Sequence, residues 1–239
     1  MLYRVQCSPM DTAQDLELLN QELNADAALE SFAKKYDNYR VGFWPRVLGG
    51  FLVWCGNTLY GKAPSYLKFR AVEIIARVPY HSWESAAFTL LTMFYQNEEK
   101  ALKYAELSNF SRIAKENETM HVVVISSLVQ KESKANVIFH SIIPLLFAFF
   151  YFWVAYWFYL ISPRLALELN YVFESHAFEQ YSLFVAENKE NLLKKPMDSK
   201  YLAWYGRNSE NQYEFFMSVR NDEIIHRNMS IEEIEKATK

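Results

Sequence analysis

Hydrophobic and polar positions follow helical spacing along nearly the whole chain, and strand-type alternation is absent. From Met10 to Tyr36 the pattern is polar, with Leu16, Leu18, Leu19, Leu23, Ala27, Leu29 and Phe32 at mixed helical spacing and Asp11 placed to cap it. It predicts an exposed N-terminal helix or arm. Residues 39–60 are apolar, carry only Arg40 and Arg46, and are interrupted by Pro45 and Gly49-Gly50. They fit a segment lying in a membrane interface as well as an ordinary buried helix. Residues 64–95, 98–131, 164–188 and 208–228 predict long helices, the last followed by an acidic tail capped at Ser230. Residues 136–163 contain no Lys, Arg, Asp or Glu. Length alone would let them span a bilayer, for which about 20 apolar residues suffice. Pro144 and the aromatic crowding fit equally a helix set partly in protein and partly against lipid. Residues 189–207 read as a polar connection holding Pro196. The class is all-α: an N-terminal arm over 1–38, a helical bundle over 39–229 and an acidic tail over 230–239.

Composition narrows this picture. Half the chain (51%) is apolar and 17% is aromatic, which excludes a disordered tail and points to surface that meets something apolar. Twenty-five basic against 28 acidic residues make no electrostatic bid for nucleic acid. Cys7 and Cys55 lie outside any CxxC spacing and read as two reduced thiols. The N-terminus lacks the apolar stretch of a secretory signal and the Arg/Ser richness of a transit peptide.

Two Glu-x-x-His pairs carry the candidate chemistry: Glu118 with His121, and Glu223 with His226. Three residues turn a helix through about 300°, so each pair shares one face. One helix can then offer a carboxylate and an imidazole to the same metal. A binuclear bundle site needs two such pairs and one Glu from each of two further helices. Glu84 and Glu174 stand among apolar neighbours in the other two helices, where burial would be costly without a cation. The 53 residues from His121 to Glu174 (121 to 174) suit the long crossover of a ferritin-like bundle. Four carboxylates and two imidazoles without thiolate favour iron or manganese over structural zinc.

Asn-Glu-Thr-Met-His at 117–121, Tyr-Leu-Ile-Ser-Pro-Arg at 159–164, Phe-Glu-Ser-His-Ala at 173–177 and Arg-Asn-Asp-Glu-Ile-Ile-His-Arg at 220–227 resemble the motifs of the alternative oxidases. These are di-iron, membrane-bound quinol oxidases that include the plastid terminal oxidases. The resemblance covers roughly residues 40–228. It implies a ferritin-like four-helix di-iron bundle with added N-terminal and membrane-interface helices. It places two iron ions on Glu84, Glu118, His121, Glu174, Glu223 and His226. It implies a redox tyrosine at Tyr181, two turns after Glu174, and supporting residues Asn117, Tyr159, Asp222 and Trp204 around the metal. The quinol would approach along Trp83, Phe173, His176, Ala177 and Gln180. The activity implied is oxidation of a ubiquinol-type quinol with four-electron reduction of O₂ to water and no proton pumping. Membrane lipid and a second copy of the chain are the implied partners. The implied location is a membrane, with the mitochondrial inner membrane first and plastid or bacterial membranes as alternatives.

The chain departs from the family pattern in places. The third-helix run of Glu reads Glu174-Ser175-His176. Five residues before Glu84, where the family has Arg, stands Pro79, and the Leu just before the Glu is Trp83. The Thr after the third-helix motif is Gln180, and a His after the Ser-Pro motif is Leu167. The plant regulatory cysteine context is absent around Cys7. Two other functions compete: a di-iron quinone-ring hydroxylase, and a catalytically idle subunit of a respiratory complex.

Overall fold

Proline, serine and glycine positions set where the helices start and stop in the computed structural model, which describes residues 12–132 and 134–238. Helix α1 (Ala13–Glu22) begins in a capping box. The Asp15 amide donates to Thr12 Oγ1 at 3.1 Å, and the Thr12 amide donates to Asp15 Oδ2 at 2.9 Å. Asp11, the expected cap, and Cys7 lie outside the described residues. Helix α2 (Asp26–Lys34) follows. These two helices are docked, which corrects the expectation of an exposed arm. Leu16 and Leu23 are buried in the main core, and the Asn228 amide donates to Phe32 O at 2.8 Å.

Helix α3 (Phe43–Tyr60) crosses the later helix α8 (Pro163–Leu193) at close range. A Cβ at Gly49 would come within 2.7 Å of Val172 Cγ1, so only glycine permits this approach. Glu168 fastens the start of α3 to α8. It accepts hydrogen bonds from the Tyr39 hydroxyl, the Gly42 amide and Arg164 Nε, each at 2.8 Å. Burial works against its ionisation, but these donors outweigh burial and hold the carboxyl below the usual range. A depressed folded value means that the stability Glu168 contributes is present above about pH 4.3, its unfolded value. It is lost as pH falls through the folded value. Urea unfolding should show wild type more stable than Glu168→Gln at neutral pH, with the gap closing below about pH 4.

The expected single helix over 64–95 is divided at Arg77 into α4 (Tyr66–Ala76) and α5 (Val78–Phe94). Pro79 has no amide to continue the ladder, and this starts a new helix. After three residues the chain returns in α6 (Glu98–Glu132). A π-helical turn (Ile138–Ile142) leads into α7 (Ile143–Ile161), where Pro144, Tyr151, Ala155 and Tyr159 form the buried stripe. Ser162 ends α7 and caps α8, whose first residue is Pro163. The polar connection holds a short helix α9 (Lys200–Tyr205), closed by Gly206 at φ 96°. Helix α10 (Gln212–Thr238) completes the fold. It runs straight through Ser230, which is buried and donates to His226 O, so the described residues form no separate acidic tail.

The bundle consists of α4–α5, α6, α8 and α10, with α7 as the crossover between its halves. No strand occurs among the described residues, and the all-α, ferritin-like expectation holds.

Candidate metal centre

Each bundle helix delivers its polar side chains to one buried spot. Two overlapping groups form there, with the ligand atoms of each within 4.8 Å of one another. One holds Glu73, Glu118, His121 and Glu223, and the other holds Glu118, Glu174, Glu223 and His226. Glu118 and Glu223 belong to both. All six side chains are buried. Five of the six expected residues, Glu118, His121, Glu174, Glu223 and His226, are thus brought together.

The sixth, Glu84, is not. Its carboxylate pairs with Lys115 Nζ at 2.7 Å and lies 3.6 Å from His81 Nδ1, partly open to solvent. On α5 the inward stripe is Tyr80, Trp83 and Ala87, and Glu84 sits beside it. Glu73 on α4 takes the place in the cluster. A spacing signal for it existed. Glu73 precedes Glu118 by 45 residues (73 to 118), close to the 49 from Glu174 to Glu223, whereas Glu84 gives 34 (84 to 118). The two halves of such a bundle tend to match in length.

Electrostatics mark the cluster as made for positive charge. Burial and the Glu118 charge push the Glu73 carboxyl up to about 7. Burial and three neighbouring carboxylates push Glu223 far above its usual range, and burial raises Glu174. Burial opposes ionisation of Glu118, but His121 and His226 outweigh it and hold Glu118 low. Both imidazoles are raised, against burial, chiefly by Glu118. Many polar atoms here have no hydrogen-bond partner: Glu73 Oε2, both oxygens of Glu118, His121 Nδ1, Glu223 Oε1 and both nitrogens of His226. Buried polar atoms rarely go unpaired, and a carboxylate-imidazole donor set around one point fits a divalent cation.

A charged network lies behind His121. Its Nε2 meets Asp222 Oδ2 at 2.8 Å. An ionised carboxylate only accepts, so Nε2 carries the hydrogen and Nδ1 faces the cluster. Asp222 also takes both Arg207 terminal nitrogens, at 2.5 and 3.1 Å, Asn117 Nδ2 at 3.0 Å and Asn20 Nδ2 at 2.6 Å. Burial opposes the Asp222 charge, but Arg207 and His121 hold its carboxyl far below the usual range. Asn117 and Asp222 thus lie together behind His121. Trp204 does not join them. It is exposed and packs on Tyr201, while the next residue, Tyr205, meets Asn117 at 3.2 Å. Tyr159 is buried on Trp83, with ring centroids 5.6 Å apart, and belongs to neither ligand group. Arg207 and Asn20 were not foreseen.

Tyr181 is buried and its hydroxyl donates to Glu73 Oε1. Beside it an apolar cavity of about 180 Å³ reaches Glu73, Glu174 and Glu223 from between α3 and α7. Phe173, His176, Ala177 and Gln180 line it. Trp83 does not: it is buried between Tyr80 and Tyr159. The cavity also holds Lys68, whose Nζ donates to Gln180 Oε1 at 2.7 Å, Asn57 Oδ1 at 2.8 Å and Lys62 O at 3.0 Å. With Glu73 in the first position, two departures become milder replacements. The family's Arg and Leu offsets fall on Lys68 and Val72, a basic and an apolar residue, both at the cavity.

Fold and cluster together define a helical-bundle protein with a buried carboxylate-histidine cluster that could hold metal. The alternative oxidase family model matches residues 55–233, and the chain belongs to that family of iron-dependent, membrane-associated quinol oxidases. Ubiquinol oxidase 4, chloroplastic/chromoplastic, of Arabidopsis thaliana is 25% identical over 190 residues, which cover 71% of this chain. They cover 51% of the relative, so the chain spans about half the length of the curated protein it matches. No solved structure matches.

Proposed function

We propose that this chain is a membrane-bound di-iron oxidase of a ubiquinol-type quinol. The observation that carries this is the pair of overlapping ligand groups, sharing Glu118 and Glu223, set at the inner end of an apolar cavity. Glu73 and His121 would hold one ion and Glu174 and His226 the other, with Glu118 and Glu223 common to both. Bound iron supplies the redox chemistry that passes electrons from quinol to dioxygen. The balance is two quinols and one O₂ giving two quinones and two waters, with no proton pumped.

The chain's own residues handle the quinol. Phe173 and Ala177 give the ring apolar walls. His176 Nε2 lies in the cavity wall without a hydrogen-bond partner and can accept from a quinol hydroxyl. Lys68 occupies Gln180 Oε1 and so turns the Gln180 amide nitrogen into a fixed donor. Tyr181, anchored on Glu73, is the side chain placed to carry a proton between cavity and cluster.

The membrane would meet α3 and α7. Phe43, Trp44, Phe51 and Trp54 on α3 are exposed, as are Phe149, Phe150, Trp153 and Trp157 on α7. Ile138–Ile161, with mean hydropathy 2.0, is long and apolar enough to cross a bilayer. Its buried stripe against the bundle supports attachment to one leaflet. A quinol could then enter the cavity directly from lipid. By family habit we place the protein on the mitochondrial inner membrane, as a homodimer. Fractionation of tagged full-length protein to plastids, the compartment in the relative's name, would overturn that placement.

Mass spectrometry of the products tests the reaction. Iron-loaded protein should convert a short-chain ubiquinol to the quinone with no oxygen added to the ring. A hydroxylated ring would make this a quinone-modifying hydroxylase instead. A second test concerns the corrected ligand. Glu73→Gln should lower the bound metal below wild type, while Glu84→Gln should keep it; loss in Glu84→Gln alone would refute the assignment.

A further inference from the structure

Tyr181 has a counterpart at the other ligand group. The Tyr80 hydroxyl donates to Glu174 Oε1 at 2.8 Å and accepts from Asn170 Nδ2 at 2.8 Å. Asn170 Nδ2 is also 3.1 Å from Ser230 Oγ, which donates to His226 O at 3.0 Å. Tyr80 is fully buried, its ring centroid 5.4 Å from that of His226, and Trp83 and Phe110 meet it edge-on. Glu73 and Glu174 each belong to a single ligand group, and each has Oε1 taken by a phenol. Glu118, which belongs to both, takes no phenol or amide donor, and its Oε1 lies 2.8 Å from His226 Nδ1.

We propose that Tyr80 is a positioning residue for Glu174, a role that rests on the metal-centre reading above. Its hydroxyl pins Oε1, so that Glu174 meets metal through its other oxygen, as Tyr181 leaves Glu73 to do. The carboxylates at the two ends of the cluster are thereby fixed by protein, while the shared Glu118 keeps both oxygens clear of any phenol or amide donor. The Asn170–Ser230 link ties this setting to the turn of α10 that carries His226. Tyr80 does not line the cavity, so its effect falls on the cluster and not on quinol binding.

Cobalt(II) titration of the full chain tests this, because visible cobalt bands weaken as coordination number rises. Tyr80→Phe keeps the ring packing and frees Oε1. It should bind as much cobalt as wild type but with weaker visible bands, as Glu174 gains a second donor oxygen. In the iron-loaded enzyme kcat should fall by about 10–100-fold with KM unchanged, the usual cost of losing a partner behind a ligand. Ser230→Ala, which loosens Asn170 without touching the phenol, should shift the bands in the same direction by less, and it decides the matter if Tyr80→Phe fails to fold. Bands superimposable on wild type in the folded variants would overturn the role of Tyr80. Wild type that binds no cobalt would instead overturn the metal centre itself.

Discussion

Glu118→Ala is expected to abolish metal binding while leaving a folded bundle. Glu118 is one of the two groups shared across the cluster and the one that meets both imidazoles. It belongs to both ligand groups, is fully buried, and lies 2.8 Å from His226 Nδ1 and 3.5 Å from His121 Nδ1. Its charge raises both imidazoles and pushes up Glu73 and Glu223. Removing it would take a ligand from both groups at once and leave Glu223 as the one carboxylate they share. The metal-free variant escapes much of the like-charge repulsion, so it should still fold. Thermal unfolding with and without ferrous or manganous ion separates the two effects. A metal held at a hundred times its dissociation constant stabilises the binding-competent protein by about 2.7 kcal/mol. Wild type should show that increment and Glu118→Ala should show none. An equal increment in both would mean that metal binds elsewhere.

Arg207→Leu is expected to be the most destabilising single change near the site. Arg207 is buried and holds Asp222 through both terminal nitrogens while its Nε meets Glu17 at 2.8 Å. Burial alone would lower the guanidinium, yet Asp222 and Glu17 raise it, so the pair is mutually dependent. Taking away the cation leaves Asp222 charged, fully buried and held only by neutral amides and His121. Breaking a buried pair in this way costs about 3–5 kcal/mol. Urea unfolding measures it. Arg207→Leu combined with Asp222→Asn should recover part of the loss, because no charge is then stranded. A cost below about 1 kcal/mol, the range of surface pairs, would show that Asp222 does not depend on Arg207. The same network carries α1 into the site, since Asn20 and Glu17 reach Asp222 and Arg207 from a helix that precedes the family match.

Local patterns made much of this legible. Both Glu-x-x-His pairs are statements about a single helix turn, and helical geometry alone puts each pair on one face. The all-α class, the crossover and three of the bundle helices, α6, α8 and α10, followed from spacing and charge in the same way. Glu73 was hidden because a lone carboxylate has no partner on its own helix. Its placement depends on the break at Arg77, which turns α5 so that Tyr80 and Trp83 point inward and Glu84 meets Lys115. Trp204 and Tyr205 show the same limit on a six-residue helix, where one residue is about 100° and decides between solvent and Asn117. The Asn20 contact to Asp222 spans 202 positions, and nothing in the polar pattern around Asn20 marks it. The helix past Ser230 is not legible in the sequence because charge at 232–235 hides the inward stripe of Ile231 and Ile234.

Oxygen uptake by detergent-purified, iron-loaded full-length protein given a short-chain ubiquinol tests the central claim most directly. The account predicts cyanide-insensitive uptake of one O₂ for every two quinols oxidised, with no uptake by Glu118→Ala prepared in the same way. A wild-type protein that holds two irons per chain and consumes no oxygen with the quinol would contradict it.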